Sequence, residues 1–113
     1  MPYINTTTNI SISKEQELKI KSRYSEAVSL IGKSEAYLML GFNPNTSMYF
    51  AGKSDLPTAF IEVKFFGTAS EKRLDMLTQA ICEIINSELD ISPSQIYVRY
   101  QPTEYWGWNG RNF

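Results

Sequence analysis

The 113 residues contain no histidine and one cysteine, Cys82, so any chemistry must use other groups. Without histidine there is no Ser-His or Cys-His nucleophile pair, and the commonest general base and metal ligand is missing. A lone cysteine forbids an internal disulfide and a Cys-rich zinc site. Proton transfer then falls to a carboxylate, a lysine, a tyrosine or the chain terminus. The terminus is the most pointed of these, because Pro2 follows the initiator methionine. Removal of Met1 would leave a secondary amine at Pro2, and a free α-amino group titrates near about 7.7–8.0. Burial or a neighbouring cation lowers that value and leaves a neutral base at physiological pH. A retained Met1 would turn the amine into an amide and abolish the base.

Three other positions carry candidate chemistry. Lys33, just after Gly32 at the end of a helical stretch, can answer the helix macrodipole or anchor a carboxylate or enolate. Tyr97 and Arg99, two apart on a strand, point to the same face. A tyrosine there can donate to an oxyanion and an arginine can hold a carboxylate with two bonds. A packed tyrosine and a solvated arginine are the plainer alternative. The tail Tyr105-Trp106-Gly107-Trp108-Asn109-Gly110-Arg111-Asn112-Phe113 holds both tryptophans, and so aromatic a segment plugs a core, docks on a neighbour or walls an apolar pocket.

The elements that must position these groups read as strand, helix, strand, given twice. Residues 3–8 are β-prone. Ser13-x-x-Gln16 has capping-box spacing, followed by an apolar stripe at Leu18, Tyr24, Ala27, Val28 and Ile31, with Gly32 at the left-handed C-terminal position. Residues 36–42 read as a buried strand, and Asn43-Pro44-Asn45 as a turn. In the second unit Ala59–Phe66 alternates strictly, and Thr68-x-x-Glu71 is read as another capping box. Leu74, Leu77, Ile81, Ile84, Ile85 and Leu89 form a second helical stripe, Ser92-Pro93-Ser94 turns the chain and Ile96–Gln101 is a strand. Tyr37 and Tyr97 are expected at similar places in the two units. The expected fold class is α+β, an α/β two-layer sandwich: two β-α-β repeats forming a four-stranded sheet with both helices on one face, in one domain over 1–113. The opposite face mixes Glu62, Lys64, Tyr97, Arg99 and Gln101 with Phe60 and Phe66, which predicts cover by another copy of the chain.

Composition narrows the partners. Lys and Arg number 11 against 12 Asp and Glu, a formal net charge of −1, so no electrostatic footprint for nucleic acid or an anionic membrane is expected. Apolar residues at 42% and charged residues at 20% describe a folding chain rather than a disordered one. No apolar run reaches bilayer length, and the first residues lack a basic n-region and an apolar h-region, so the expected location is cytoplasmic.

Pro2 after the initiator Met, Gly32-Lys33 before Tyr37-Leu38-Met39, Met48-Tyr49-Phe50-Ala51-Gly52, Ile91-Ser92-Pro93-Ser94-Gln95-Ile96-Tyr97 and Gly107-Trp108-Asn109-Gly110 together resemble the macrophage migration inhibitory factor and D-dopachrome tautomerase family of the tautomerase superfamily. The resemblance runs over essentially the whole chain. It implies a homotrimer of β-α-β repeats with active sites between subunits, and keto–enol tautomerisation of phenylpyruvate-type 2-oxo acids or dopachrome-like compounds without metal or organic cofactor. Carried over by position, Pro2 is the catalytic base and Lys33 binds the acid or enolate oxygen. Phe66 lines the pocket from the same subunit, Tyr97 and Arg99 come from the neighbour, and Trp106, Trp108 and Phe113 supply aromatic walls. The resemblance also implies an alternative: a secreted, cytokine-like interaction protein exported by an unconventional route, with a receptor as partner and an incidental site. Two departures stand out. Thr58-Ala59-Phe60-Ile61 occupies the place of a Cys-x-x-Cys pair found in many animal members, which excludes dithiol chemistry. Arg99 replaces a frequent asparagine, which places a second cation near Lys33 if it faces the pocket.

Overall fold

Alternating apolar residues and two well-capped helices build two layers. The computed structural model describes residues 1–113. Strand β1 (Pro2–Thr8) is followed by helix α1 (Lys14–Ala27), strands β2 (Met39–Asn43) and β3 (Ala59–Phe66), helix α2 (Glu71–Leu89) and strand β4 (Ile96–Thr103). A C-terminal hairpin of β5 (Gly107–Trp108) and β6 (Arg111–Asn112) completes the chain. The four main strands lie in the order β2-β1-β3-β4. β1 runs parallel to β2 and β3 parallel to β4, while β1 and β3 pair antiparallel at the centre with Pro2 opposite Phe65 and Thr8 opposite Ala59. The architecture is the expected pair of β-α-β units.

The two units use the same devices. In β1 the residues Pro2, Ile4, Thr6 and Thr8 are buried, and in β3 the alternate residues Ala59, Ile61, Val63 and Phe65 are buried. Ile20, Tyr24 and Ala27 of α1 and Leu77, Ile81, Ile84, Ile85 and Leu89 of α2 close over that face. The opposite face carries Phe60, Glu62, Lys64, Tyr97, Arg99 and Gln101, as the alternation predicts.

Capping box Ser13/Gln16 forms in full: the Gln16 amide donates to Ser13 Oγ at 3.0 Å and the Ser13 amide donates to Gln16 Oε1 at 2.8 Å. The second helix starts differently from the sequence reading. Its N-cap is Ser70, whose hydroxyl accepts from the Arg73 amide at 3.2 Å, and not Thr68. Ala69 before this cap and Leu74 beyond it both pack on the core, the positions of a hydrophobic staple. That anchoring fixes the helix start two residues later than the Thr-x-x-Glu spacing suggests.

Three further expectations change. Leu18 is half exposed, and Ile20 takes its place under the sheet. The stretch read as a strand from residue 36 begins with a 3₁₀ turn, Glu35–Tyr37, and becomes strand only at Met39. It is an edge strand with Met39 exposed, because only β1 flanks it. Consequently Tyr37 and Tyr97 are not equivalent: Tyr37 closes the 3₁₀ turn, whereas Tyr97 lies within β4 opposite Phe60.

Inside the core, Thr6 and Tyr24 are both fully buried and share a hydroxyl–hydroxyl hydrogen bond of 2.8 Å between β1 and α1. Burial pushes the Tyr24 phenol far above its ordinary value. Loss of one hydroxyl strands the other in an apolar interior, at about 1–3 kcal/mol. Tyr24→Phe is therefore expected to lower the urea midpoint at fixed protein concentration. The double change Thr6→Val with Tyr24→Phe should recover most of that loss. The fold holds the neutral phenol while the unfolded chain ionises near about pH 10, so stability falls as pH rises above that value and Tyr24→Phe flattens the slope.

Candidate active site

The N-terminal segment would be expected to fray, but its place in the interior of the sheet prevents that. Pro2 is buried between β2 and β3, with Phe65 as its cross-strand partner. The Phe66 amide donates to the Met1 carbonyl at 3.4 Å, which extends the ladder to the first residue. The neighbouring Tyr3 side chain lies over Gly41 of β2. A Cβ on Gly41 would stand 2.6 Å from the Tyr3 hydroxyl, so a larger residue there would displace the Tyr3 ring end.

Lys33 reaches the same spot from the other layer. Gly32, left-handed at φ +72°, ends the 3₁₀ turn Val28–Ile31 that continues α1, and the chain reverses there. The Lys33 ammonium then donates to the Phe66 carbonyl at 2.6 Å and sits 5.8 Å from the Phe65 ring centroid. It has no carboxylate partner, for the three ion pairs are Lys14–Glu17, Lys19–Glu15 and Arg23–Glu88. Its charge acts on the terminus instead: burial first, and then the Lys33 ammonium, hold the Met1 α-amine, one residue before Pro2, below its usual value.

An aromatic chain walls this corner. Phe66 meets Phe113 edge-on at 5.4 Å, Phe113 meets Trp108 at 6.4 Å, and Trp108 meets Tyr37 edge-on at 5.8 Å. The tail is held there by its hairpin. Asn109 and Gly110 are both left-handed, at φ 53° and 86°, the Asn-Gly signal of a two-residue β-turn. The Phe113 amide donates to the Trp106 carbonyl at 3.1 Å. A cavity of about 420 Å³ opens beside Met1 and Pro2, with Tyr3, Tyr37, Met39, Trp106 and Trp108 among its walls. Of the three sequence readings of the tail, the pocket-wall one describes its position within this chain.

Pro2, Lys33, Phe66, Trp106, Trp108 and Phe113 are thus brought together within one chain. Tyr97 and Arg99 are not. They lie on β4, Tyr97 in register with Phe60 at the other end of β3 and Arg99 with Glu62 near its middle. Both are exposed on the outward face, and Arg99 donates to Gln101 at 3.2 Å. Sequence reasoning gave Tyr37 only a place in the repeat, and gave Tyr3 and Met39 no role in the pocket. Met39 and Tyr3 depend on β1–β2 register, which no local pattern states.

With this geometry in place, comparison with known proteins identifies its family. The family model for macrophage migration inhibitory factor (MIF) matches residues 1–113. The macrophage migration inhibitory factor of Meriones unguiculatus is 27% identical over 115 residues, spanning 100% of this chain and 99% of the relative. The crystal structure of Leishmania major MIF2 superposes with a TM-score of 0.93 at 31% identity, covering 100% of this chain and 97% of that one. The homologue from Prochlorococcus marinus has a TM-score of 0.88 at 28% identity, with 98% of each chain covered. The chain belongs to the macrophage migration inhibitory factor family.

Proposed function

We propose that this chain is a cofactor-independent keto–enol tautomerase for phenylpyruvate-type 2-oxo acids or dopachrome-like compounds, with Pro2 as its base once Met1 is removed. The observation that carries this reading is the Lys33 ammonium, without a carboxylate partner, close to a chain terminus that lines an aromatic-walled cavity with Pro2; there burial and Lys33 already lower the basicity of the Met1 amine. A neutral amine is a usable base at pH 7, and a nearby cation stabilises the negative charge that its action creates. The aromatic walls fit a planar, conjugated substrate.

In this mechanism the Pro2 nitrogen takes a proton from the carbon beside the carbonyl. The C–H electron pair forms the C=C bond, and the carbonyl pair moves onto oxygen. Lys33 and the Tyr97 hydroxyl stabilise that enolate oxygen. The protonated Pro2 then delivers the proton to the oxygen, giving the enol and restoring the base. Tyr97 and Arg99 enter from a neighbouring subunit of a homotrimer. Two features support that assembly: the distance of Tyr97 from Pro2 along β3, and the exposed aromatics at both ends of the sheet, including Tyr49, Tyr97, Tyr105 and Phe113.

Three substitutions test the assignment. Pro2→Ala should lower phenylpyruvate tautomerase activity by about 10²-fold or more while the oligomer persists in light scattering, and a fully active oligomer would refute the base. Lys33→Met removes the cation that disfavours the protonated amine, so the amine pKa rises. The acidic limb of the kcat/KM profile should move to higher pH, with a raised KM for acids, and an unmoved limb contradicts the coupling. Arg99→Asn should reduce the preference for phenylpyruvate over its neutral ester by about tenfold, and an unchanged ratio removes Arg99 from substrate selection.

A further inference from the structure

We infer that Phe50 is a positioning residue for Tyr97, holding its phenol ring so that the hydroxyl is presented to the enolate; this rests on the tautomerase reading above. Tyr97 lies on the exposed face of β4 and is 59% exposed, where a tyrosine would ordinarily sample several rotamers. Two rings restrain it. Phe60, its register partner on β3, stands edge-on at 6.5 Å. Phe50 lies closer, at 5.1 Å with its plane tilted by 49°. Phe50 arrives from the β2–β3 loop, far from Tyr97 in sequence, and no strand pairing accounts for its position.

The loop is built to place that ring. Phe50 and Lys53 exchange two backbone hydrogen bonds, at 2.8 and 3.0 Å, around a tight turn in which Ala51 and Gly52 are both left-handed. Further along, the Asn9 amide group donates to the Leu56 carbonyl at 2.9 Å, and the Thr58 amide donates to Asn9 Oδ1 at 2.9 Å. The Thr58 hydroxyl donates to the Gln95 carbonyl at 2.8 Å, two residues before Tyr97. One network therefore ties the loop to the strand that bears the tyrosine.

The Tyr97 oxygen is treated differently from its ring. The Tyr24 hydroxyl is engaged by Thr6, and the Tyr100 hydroxyl by Thr78 and the Leu74 carbonyl. The Tyr97 hydroxyl makes no hydrogen bond within the chain, although its ring is bracketed by two aromatics. A phenol fixed by its ring and free at its oxygen is pre-organised to donate to a developing oxyanion, and a rotating one is not.

The test is a double-mutant cycle on the processed oligomer with phenylpyruvate. Phe50→Leu keeps apolar volume and removes the ring. It should lower kcat about tenfold with KM within about twofold, while Phe50→Tyr retains the wild-type kcat. Tyr97→Phe should lower kcat by about 10²-fold, and adding Phe50→Leu to it should cost nothing more. If the leucine variant does not fold, Phe50→Met carries the same expectation. An unchanged kcat in Phe50→Leu, or an equal fall with and without the Tyr97 hydroxyl, overturns the positioning role and leaves the tautomerase reading intact. A fully active Tyr97→Phe removes Tyr97 from the chemistry and overturns this inference, while Pro2 as base stands or falls on its own variant.

Discussion

The antiparallel pairing of β1 with β3 is the constraint on which the rest depends. It places Pro2 opposite Phe65 in the interior of a four-stranded sheet, in a part of the chain that would otherwise fray. The same register sets the Phe66 amide against the Met1 carbonyl, and Lys33 donates to the carbonyl of that same phenylalanine. A slip of one residue would turn Ile4, Thr6 and Thr8 out of the core and carry the amine away from the ammonium. The buried Thr6–Tyr24 hydrogen bond resists such a slip, because both hydroxyls would lose their partner in a dry interior.

Duplication of the β-α-β unit gives the sheet two ends with different chemistry. One end gathers the amine, the lysine and the aromatic tail. The other presents Tyr97 over Phe50 and Phe60, with Arg99 two residues further on the same face. Pro2 pairs with Phe65 and Tyr97 pairs with Phe60, so the ends stand most of a strand apart. Within one chain, then, the proposed base and the Lys33 cation occur without the tyrosine proposed to donate to the oxyanion. The proposed trimer joins the two ends, which makes assembly a condition of catalysis rather than an addition to it.

Much of this is written in local sequence. Ser13 and Gln16 cap α1 as their spacing requires, and the alternation of Ala59–Phe66 names the buried face of β3 without error. The Asn109-Gly110 pair is also a readable hairpin signal, since both residues adopt the left-handed conformation that a two-residue turn needs. Where local spacing misleads, a longer-range contact decides. Thr68 loses the capping role to Ser70 because Ala69 and Leu74 anchor on the core. Tyr37 falls outside β2 because the chain needs a 3₁₀ turn to enter an edge position beside β1. The approach of Lys33 to the terminus lies beyond any short pattern, since it joins a helix end to a strand end through a backbone carbonyl.

The central claim is that the secondary amine that loss of Met1 exposes at Pro2, buried in the sheet and close to Lys33, is the base. Its most direct test compares two forms of the same chain that differ only in Met1, separated and identified by intact mass, in a phenylpyruvate tautomerase assay. The form lacking Met1 should turn over substrate, and the form retaining it, whose Pro2 nitrogen is an amide, should be inert at equal oligomer concentration. Equal turnover by both forms would contradict the account.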